Sequence, residues 1–81
     1  MADVGLSGSL RDAADGAASI QIEAATIREL LRKLVERYPR MQSQIAEGVA
    51  VSIDGNIFRD NRDEPIPKGS EVFLLPRIQG G

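Results

Sequence analysis

The chain has 81 residues and a formal net charge of −2, from 10 basic and 12 acidic side chains. This length allows one domain with one small core. Leu, Ile, Val and Phe account for 22 residues, which is enough apolar side chain for a folded rather than a disordered chain. The sequence contains no Cys and no His. It therefore cannot form disulfides, Cys/His zinc sites, a thiol nucleophile or a Ser-His-Asp triad.

Charge and hydropathy also argue against two classes of partner. A weakly acidic chain with one Tyr, two Phe and no Trp is a poor candidate for nucleic-acid binding. No apolar run approaches the ~18 residues of a membrane span. The start, Met-Ala-Asp-Val, lacks the basic segment that opens a signal peptide. We expect a cytoplasmic protein with no nucleic-acid or membrane partner, no metal and no bound cofactor, and a carrier or binding role rather than an enzymatic one.

Two strands are predicted before the main helix. Residues 3–10 alternate apolar with polar or small side chains, which favours a strand that reaches Leu10. Residues 11–16 are charged and small and end in an Asp-Gly turn signal. Residues 18–22 alternate again, so we predict a second strand that pairs with the first as a hairpin.

The helix predicted over residues 26–38 has the strongest local signals. Thr26 and Glu29 match a capping box, in which the Thr hydroxyl accepts a backbone amide and the Glu carboxylate reaches back to the cap amide. Pro39 disfavours helical geometry at the preceding residue and ends the helix. Residues 41–47 are expected to form a loop or a short turn. The apolar side chains of the helix form one stripe at helical spacing: Ile27, Leu30, Leu31, Leu34, Val35 and Tyr38.

Three further strands follow. Residues 49–53 alternate apolar and small or polar side chains, and Asp54-Gly55-Asn56 is a strong hairpin-turn signal. Ile57 and Phe58 resume apolar character as a short strand. A polar, proline-containing loop comes next, and residues 71–75 form the last strand, which Pro76 is expected to end.

The resulting order, β-β-α-β-β-β, predicts a two-layer α+β domain in which a mixed sheet carries one main helix. A β-grasp fold meets this description, whereas a ferredoxin-like fold needs a second helix that residues 41–47 are too short to supply. We expect the domain to cover residues 1–76 and a flexible tail to cover residues 77–81. The predicted core consists of Leu30, Leu31, Leu34, Val51, Ile53, Val72 and Leu74.

The terminal Gly80-Gly81 pair is the strongest candidate for chemistry. Two glycines at a given place occur by chance about 0.5% of the time. Without side chains, such a tail can pass through a narrow channel and deliver its α-carboxylate to a buried active site. Adenylation would make that carboxylate open to attack by sulfur or an amine. The oxygen-rich stretch from Asp54 to Glu64 has no glycine at the position where an EF-hand calcium loop needs one, and it is predicted to be a turn and a polar loop.

With these features the sequence resembles the ubiquitin-like sulfur carriers, the family of the molybdopterin synthase small subunit (MoaD) and the thiazole-forming carrier ThiS. The length and Pro76 favour the molybdopterin type over the thiazole type. The resemblance covers nearly the whole chain, and its tail is its most specific part. It is carried by Leu10-Arg11-Asp12, the helix that ends at Tyr38-Pro39, the strand from Val49 to Gly55, the turn from Lys68 to Val72, and Leu74-Leu75-Pro76 leading to Gly80-Gly81.

The resemblance implies a mechanism. A ubiquitin-activating-like adenylyltransferase of the MoeB or ThiF type would use ATP to adenylate the Gly81 carboxylate, and a sulfur donor would convert it to a thiocarboxylate. The tail residues Ile78, Gln79 and Gly80 would thread into a MoaE-type synthase subunit, where the sulfur passes to the pterin precursor. The carrier would be monomeric when free, heteromeric with its partner, and not catalytic alone.

The resemblance also implies an apolar partner surface beside the tail. Ser7 stands where the family usually has an aromatic residue, which thins this patch and leaves the identity of the partner open. Alternatives are a carrier for thiazole or cysteine biosynthesis, a protein modifier that forms an isopeptide bond to lysine, and an interaction module with an idle tail. The residues that we predict to bind the partner are Leu75, Ile57, Pro76, Arg77 and Arg11.

Overall fold

In the computed structural model, which describes residues 2–59 and 61–76, five strands form one mixed sheet with the helices on one of its faces. The strand order is β2-β1-β5-β3-β4; β1 and β5 are parallel, and the other neighbours are antiparallel. This is the predicted β-grasp fold. The elements are β1 (Ala2–Leu6), α1 (Ser9–Ala13), β2 (Ser19–Ile22), α2 (Ile27–Arg37), α3 (Met41–Glu47), β3 (Val49–Ile53), β4 (Asn56–Phe58) and β5 (Glu71–Pro76).

The predicted main helix is confirmed as α2, with Thr26 at its N-cap and Tyr38 at its C-cap. The Thr26 hydroxyl accepts a hydrogen bond from the Glu29 amide at 3.3 Å. The Glu29 carboxylate reaches back one residue further than a capping box predicts and accepts from the Ala25 amide at 2.7 Å. Both contacts satisfy amide groups near the start of the helix that lack partners within it.

The core lies between the helices and the inner face of the sheet. All seven predicted core residues are buried, with at most 5% of their surface exposed. Leu10, Met41 and Ile66 are buried in the same cluster. The helix stripe and the strand alternation therefore identify the two surfaces that meet. Among the described residues, no helix is both long enough and apolar enough to cross a membrane.

The prediction that the first strand reaches Leu10 is wrong. β1 ends at Leu6, the chain turns at Gly8 with φ at +59°, and Leu10 lies in the short helix α1. The positive φ is a conformation in which glycine, lacking Cβ, has little steric strain. The predicted pairing of the first two strands is confirmed, since β1 and β2 are antiparallel with α1 between them.

Residues 41–47, predicted as a loop or a short turn, instead form the helix α3. A helix this short is not stable alone, so it depends on tertiary contacts. Met41 is fully buried. Arg40 links this region to the end of α1, because its Nη2 atom lies 2.8 Å from Asp15 Oδ1 and donates to the Asp12 carbonyl at 2.9 Å.

The last strands follow the prediction closely. The turn between β3 and β4 has φ of 49° at Asp54 and 90° at Gly55, the positive values that a tight type I′ hairpin requires. Pro76 was expected to end the ladder, but it is the last residue of β5 and pairs with Val49. Because β1 ends opposite Leu74, this part of β5 has a paired strand on one side only, where a proline is tolerated.

Candidate functional site

The middle strand β5 presents apolar side chains on both faces of the sheet. Successive residues of a strand point to opposite faces. Val72 and Leu74 are buried against the helices, so Phe73 and Leu75 lie on the opposite face, which we call the outer face. Phe73 is 44% exposed and Leu75 is half-buried. Since β5 is the central strand, both residues lie near the middle of the outer face.

One row of residues crosses the outer face. Phe73 has Ser52 of β3 on one side and Gly5 of β1 on the other, and Ser52 is in turn opposite Ile57 of β4. The neighbours of Phe73 are small, so they leave its ring uncovered. Ile57 is itself 55% exposed. Exposed Phe73 and Ile57, together with half-buried Leu75, therefore form an apolar group on the outer face.

The ring of Phe73 lies directly over Gly5. A Cβ atom built on Gly5 would lie 2.5 Å from Phe73 Cε1, and it would also clash with Cδ1. Non-bonded carbon atoms prefer a separation of about 3.5–4.0 Å. The missing side chain of Gly5 is what allows the aromatic ring to lie against the neighbouring strand.

The predicted partner-binding residues do not all share this face. Ile57 and Leu75 do. Pro76 pairs with Val49, which places it on the helix side of the sheet at the end of β5. Its Cγ atom lies 3.7 Å from the position that a Cβ on Gly8 would take.

One further predicted partner residue lies outside the sheet. Arg11 is exposed on α1. Arg77, Ile78, Gln79, Gly80 and Gly81, with the predicted tail and domain boundary, lie outside the described residues.

The partner-binding residues predicted from the sequence did not include Phe73. The signal was present, because the alternation in residues 71–75 places Phe73 with Leu75, away from the buried Val72 and Leu74. A large aromatic residue on the solvent side of a central strand favours a contact surface over a core role.

A second row on the outer face, at the end of β5 away from the tail, is acidic. Asp3 of β1 is the register partner of Glu71. Asp54 continues the row, because its amide donates to the Glu71 carbonyl at 2.9 Å and its Oδ1 accepts from the Glu71 amide at 2.8 Å. Within the part of the chain that the structure describes, no group of three or more acidic side chains is arranged to hold a metal ion. The row instead borders the apolar group of Phe73.

A protein-family model described as the ThiS family matches residues 4–81, and so includes the sheet, the helices and the Gly80-Gly81 pair. The chain belongs to the ThiS family. Membership confirms the resemblance to the MoaD/ThiS family that was drawn from the sequence. No curated protein matches it at the level of sequence.

Solved structures similar to this ThiS-family chain share its fold. A chain of the BexX/CysO complex from Amycolatopsis orientalis has a TM-score of 0.80 at 18% identity, with 100% of both chains covered. The small archaeal modifier protein 1 from Haloferax volcanii has a TM-score of 0.79 at 22% identity, with 99% of this chain and 98% of that chain covered. A chain of the complex between subunits 1 and 2 of molybdopterin-converting factor from Helicobacter pylori has a TM-score of 0.69 at 21% identity, with 99% and 97% covered.

Proposed function

We propose that this chain is a cytoplasmic sulfur carrier of molybdopterin biosynthesis, in which the Gly81 carboxylate is adenylated and converted to a thiocarboxylate. The observation that carries the proposal is the ThiS family match, which runs along β5 and through Gly80-Gly81. β5 is the central strand, with buried Val72 and Leu74 in the core. The residues that follow it in the chain are therefore attached to the central strand of the sheet.

The proposed chemistry uses the carboxylate and no side chain of this chain. A Gly81 carboxylate oxygen attacks the α-phosphorus of ATP and displaces pyrophosphate, giving an acyl-adenylate. A hydrosulfide equivalent from a sulfur donor then attacks the acyl carbon and displaces AMP, which leaves the thiocarboxylate. That sulfur is the nucleophile passed to the acceptor. An adenylyltransferase of the MoeB or ThiF type supplies the active site and uses the ATP.

The outer face is the proposed docking surface for these partners. Phe73 and Leu75 lie on β5, the strand that leads to the tail, and together with Ile57 of β4 they present apolar area on the outer face. Such area on a small monomer favours a protein interface. The solved complexes of BexX with CysO and of the two subunits of molybdopterin-converting factor support a heteromer with a second protein, which we propose to be a MoaE-type subunit.

Intact-mass measurement tests the first step. The chain is incubated with ATP, a sulfur donor and the adenylyltransferase of the same organism, and conversion to the thiocarboxylate adds about 16 Da. A control variant with one residue added after Gly81 should show no such mass, because its carboxylate is displaced along the channel. A gain by the extended variant, or none by the wild type, would refute the proposal.

The acceptor is tested separately. Thiocarboxylated chain is mixed with a MoaE-type subunit and the pterin precursor, and the dithiolene product is measured. CysO and the small archaeal modifier have similar folds, so two alternatives are tested as well. One is delivery of sulfur to cysteine or thiazole synthesis, and the other is conjugation to lysine. Sulfur transfer to a cysteine or thiazole precursor, or an isopeptide-linked product, would replace the molybdopterin assignment and leave the carrier chemistry intact.

A further inference from the structure

Phe73 and two residues of the acidic row meet in one shallow depression on the outer face, which is lined by Asp54, Gly55, Glu71 and Phe73. Part of its wall is an aromatic ring that is partly exposed, and part is carboxylate. A depression with these two walls suits a side chain that has an apolar stem and a cationic end. Arg and Lys are the side chains of that kind.

The charges of the acidic row are not neutralised within the described residues. Asp3 and Glu71 are register partners, and like charges directly opposite each other destabilise a sheet. Ion pairs in the described part of the chain join Arg28 to Asp63 and Arg40 to Asp15, and none involves this row. A cation supplied by a bound protein would relieve this repulsion.

We infer that the outer face binds the adenylating enzyme by accepting one of that enzyme's Arg or Lys side chains over the ring of Phe73 and against Glu71 and Asp54. This inference rests on the proposed function and names how the first partner is recognised. The cation would be attracted to the ring face and to the carboxylates together. Leu75 and Ile57 would bury their exposed apolar area around this contact, as neighbours of an interface anchor do.

Gly5 holds this anchor in position. The ring of Phe73 can lie over position 5 only because Gly5 has no side chain there. A methyl group at position 5 would push the ring off the strand while leaving every carboxylate in place. The backbone φ of Gly5 is not in the positive region that favours glycine, so alanine is compatible with its backbone. Gly5→Ala therefore tests ring placement separately from charge.

Steady-state kinetics of adenylation by the purified adenylating enzyme tests the inference, with pyrophosphate release as the readout. Glu71→Lys and Phe73→Ala should each raise KM for the full chain at least about tenfold, with kcat within about twofold, because they remove docking rather than chemistry. Gly5→Ala should raise KM by a smaller factor. Glu36→Lys makes the same charge change at an exposed position on α2 and should leave KM unchanged.

Circular dichroism is used to check that each variant is folded. If Phe73→Ala does not fold, the KM values of Glu71→Lys and Gly5→Ala still test the inference. An unchanged KM for Glu71→Lys would overturn the inference. In that case adenylation of the wild type would still support the proposed function. If the wild type is not adenylated, the proposed function fails.

Chemical-shift mapping with the same enzyme then decides the docking claim. Shifts on Phe73 and Glu71 support it, whereas shifts confined to α2, or no binding, overturn it. A homodimer that Phe73→Ala dissolves in sedimentation would show that a second copy covers this face, which also overturns the inference.

Discussion

Replacing Leu34 with Ala tests whether the apolar stripe of α2 holds the helix on the sheet. Leu34 has no exposed surface and lies within the core cluster. The change removes three carbon atoms, which corresponds to roughly 2.4 kcal/mol at about 0.8 kcal/mol per buried carbon. A cavity adds to this, so the expected loss is about 3–5 kcal/mol. A domain of this length has a total stability of about 4–12 kcal/mol, so the loss is a large fraction of it.

Urea denaturation followed by far-ultraviolet circular dichroism measures the effect, because the chain has no Trp for fluorescence. The melting temperature should fall by about 10 °C or more. Ile57→Ala is the matched control, since Ile57 is an aliphatic residue that is 55% exposed on the short strand β4, and it should lose less than about 1 kcal/mol. If Leu34→Ala lost less than about 1 kcal/mol with an unchanged denaturant slope, the packing assigned to α2 would be wrong.

Three further variants test local features. Thr26→Ala removes the hydroxyl that caps α2 and should cost about 1 kcal/mol in the same assay, and an unchanged midpoint would contradict its capping role. Gly55→Ala places a side chain at φ +90° and should cost about 1–3 kcal/mol, so a stabilised variant would show that the turn is not strained. Arg37 donates to the carbonyl of Gln21 on the free edge of β2, and Lys33 donates to the carbonyl of Glu23, the residue after β2, so the double alanine variant should self-associate in sedimentation velocity. A double variant that stays monomeric at high concentration would show that these side chains do not protect the edge.

The elements that local sequence predicts are those whose ends are marked by nearby residues. The extent of α2 follows from the Thr26 cap and the proline after Tyr38, and the β3–β4 hairpin follows from Asp54-Gly55. Each signal acts over a few residues, so it can be read without knowing the fold. β5 could be read in the same way, because alternation in residues 71–75 already separates its two faces.

The short helices α1 and α3 could not be predicted in this way. Their five and seven residues are too few for a helix to be stable alone. They form because Leu10 and Met41 are buried in the shared core and because the Ser9 hydroxyl donates to Gln44 across the two helices at 2.9 Å. These contacts join segments that are far apart in the chain, and the sequence of either segment does not indicate which other segment it packs against.

Some features of the candidate site could likewise be predicted from local sequence, and others could not. The sequence by itself determined the Gly80-Gly81 motif, the family and the outward direction of Phe73 and Leu75. Only the tertiary structure decided that Phe73 lies over Gly5, and that Glu71 lies opposite Asp3. The physical reason is the parallel pairing of β1 with β5, which brings the first and last strands together in the middle of the sheet. Pairing between strands that are distant in sequence depends on the packing of the whole core, which no local pattern contains.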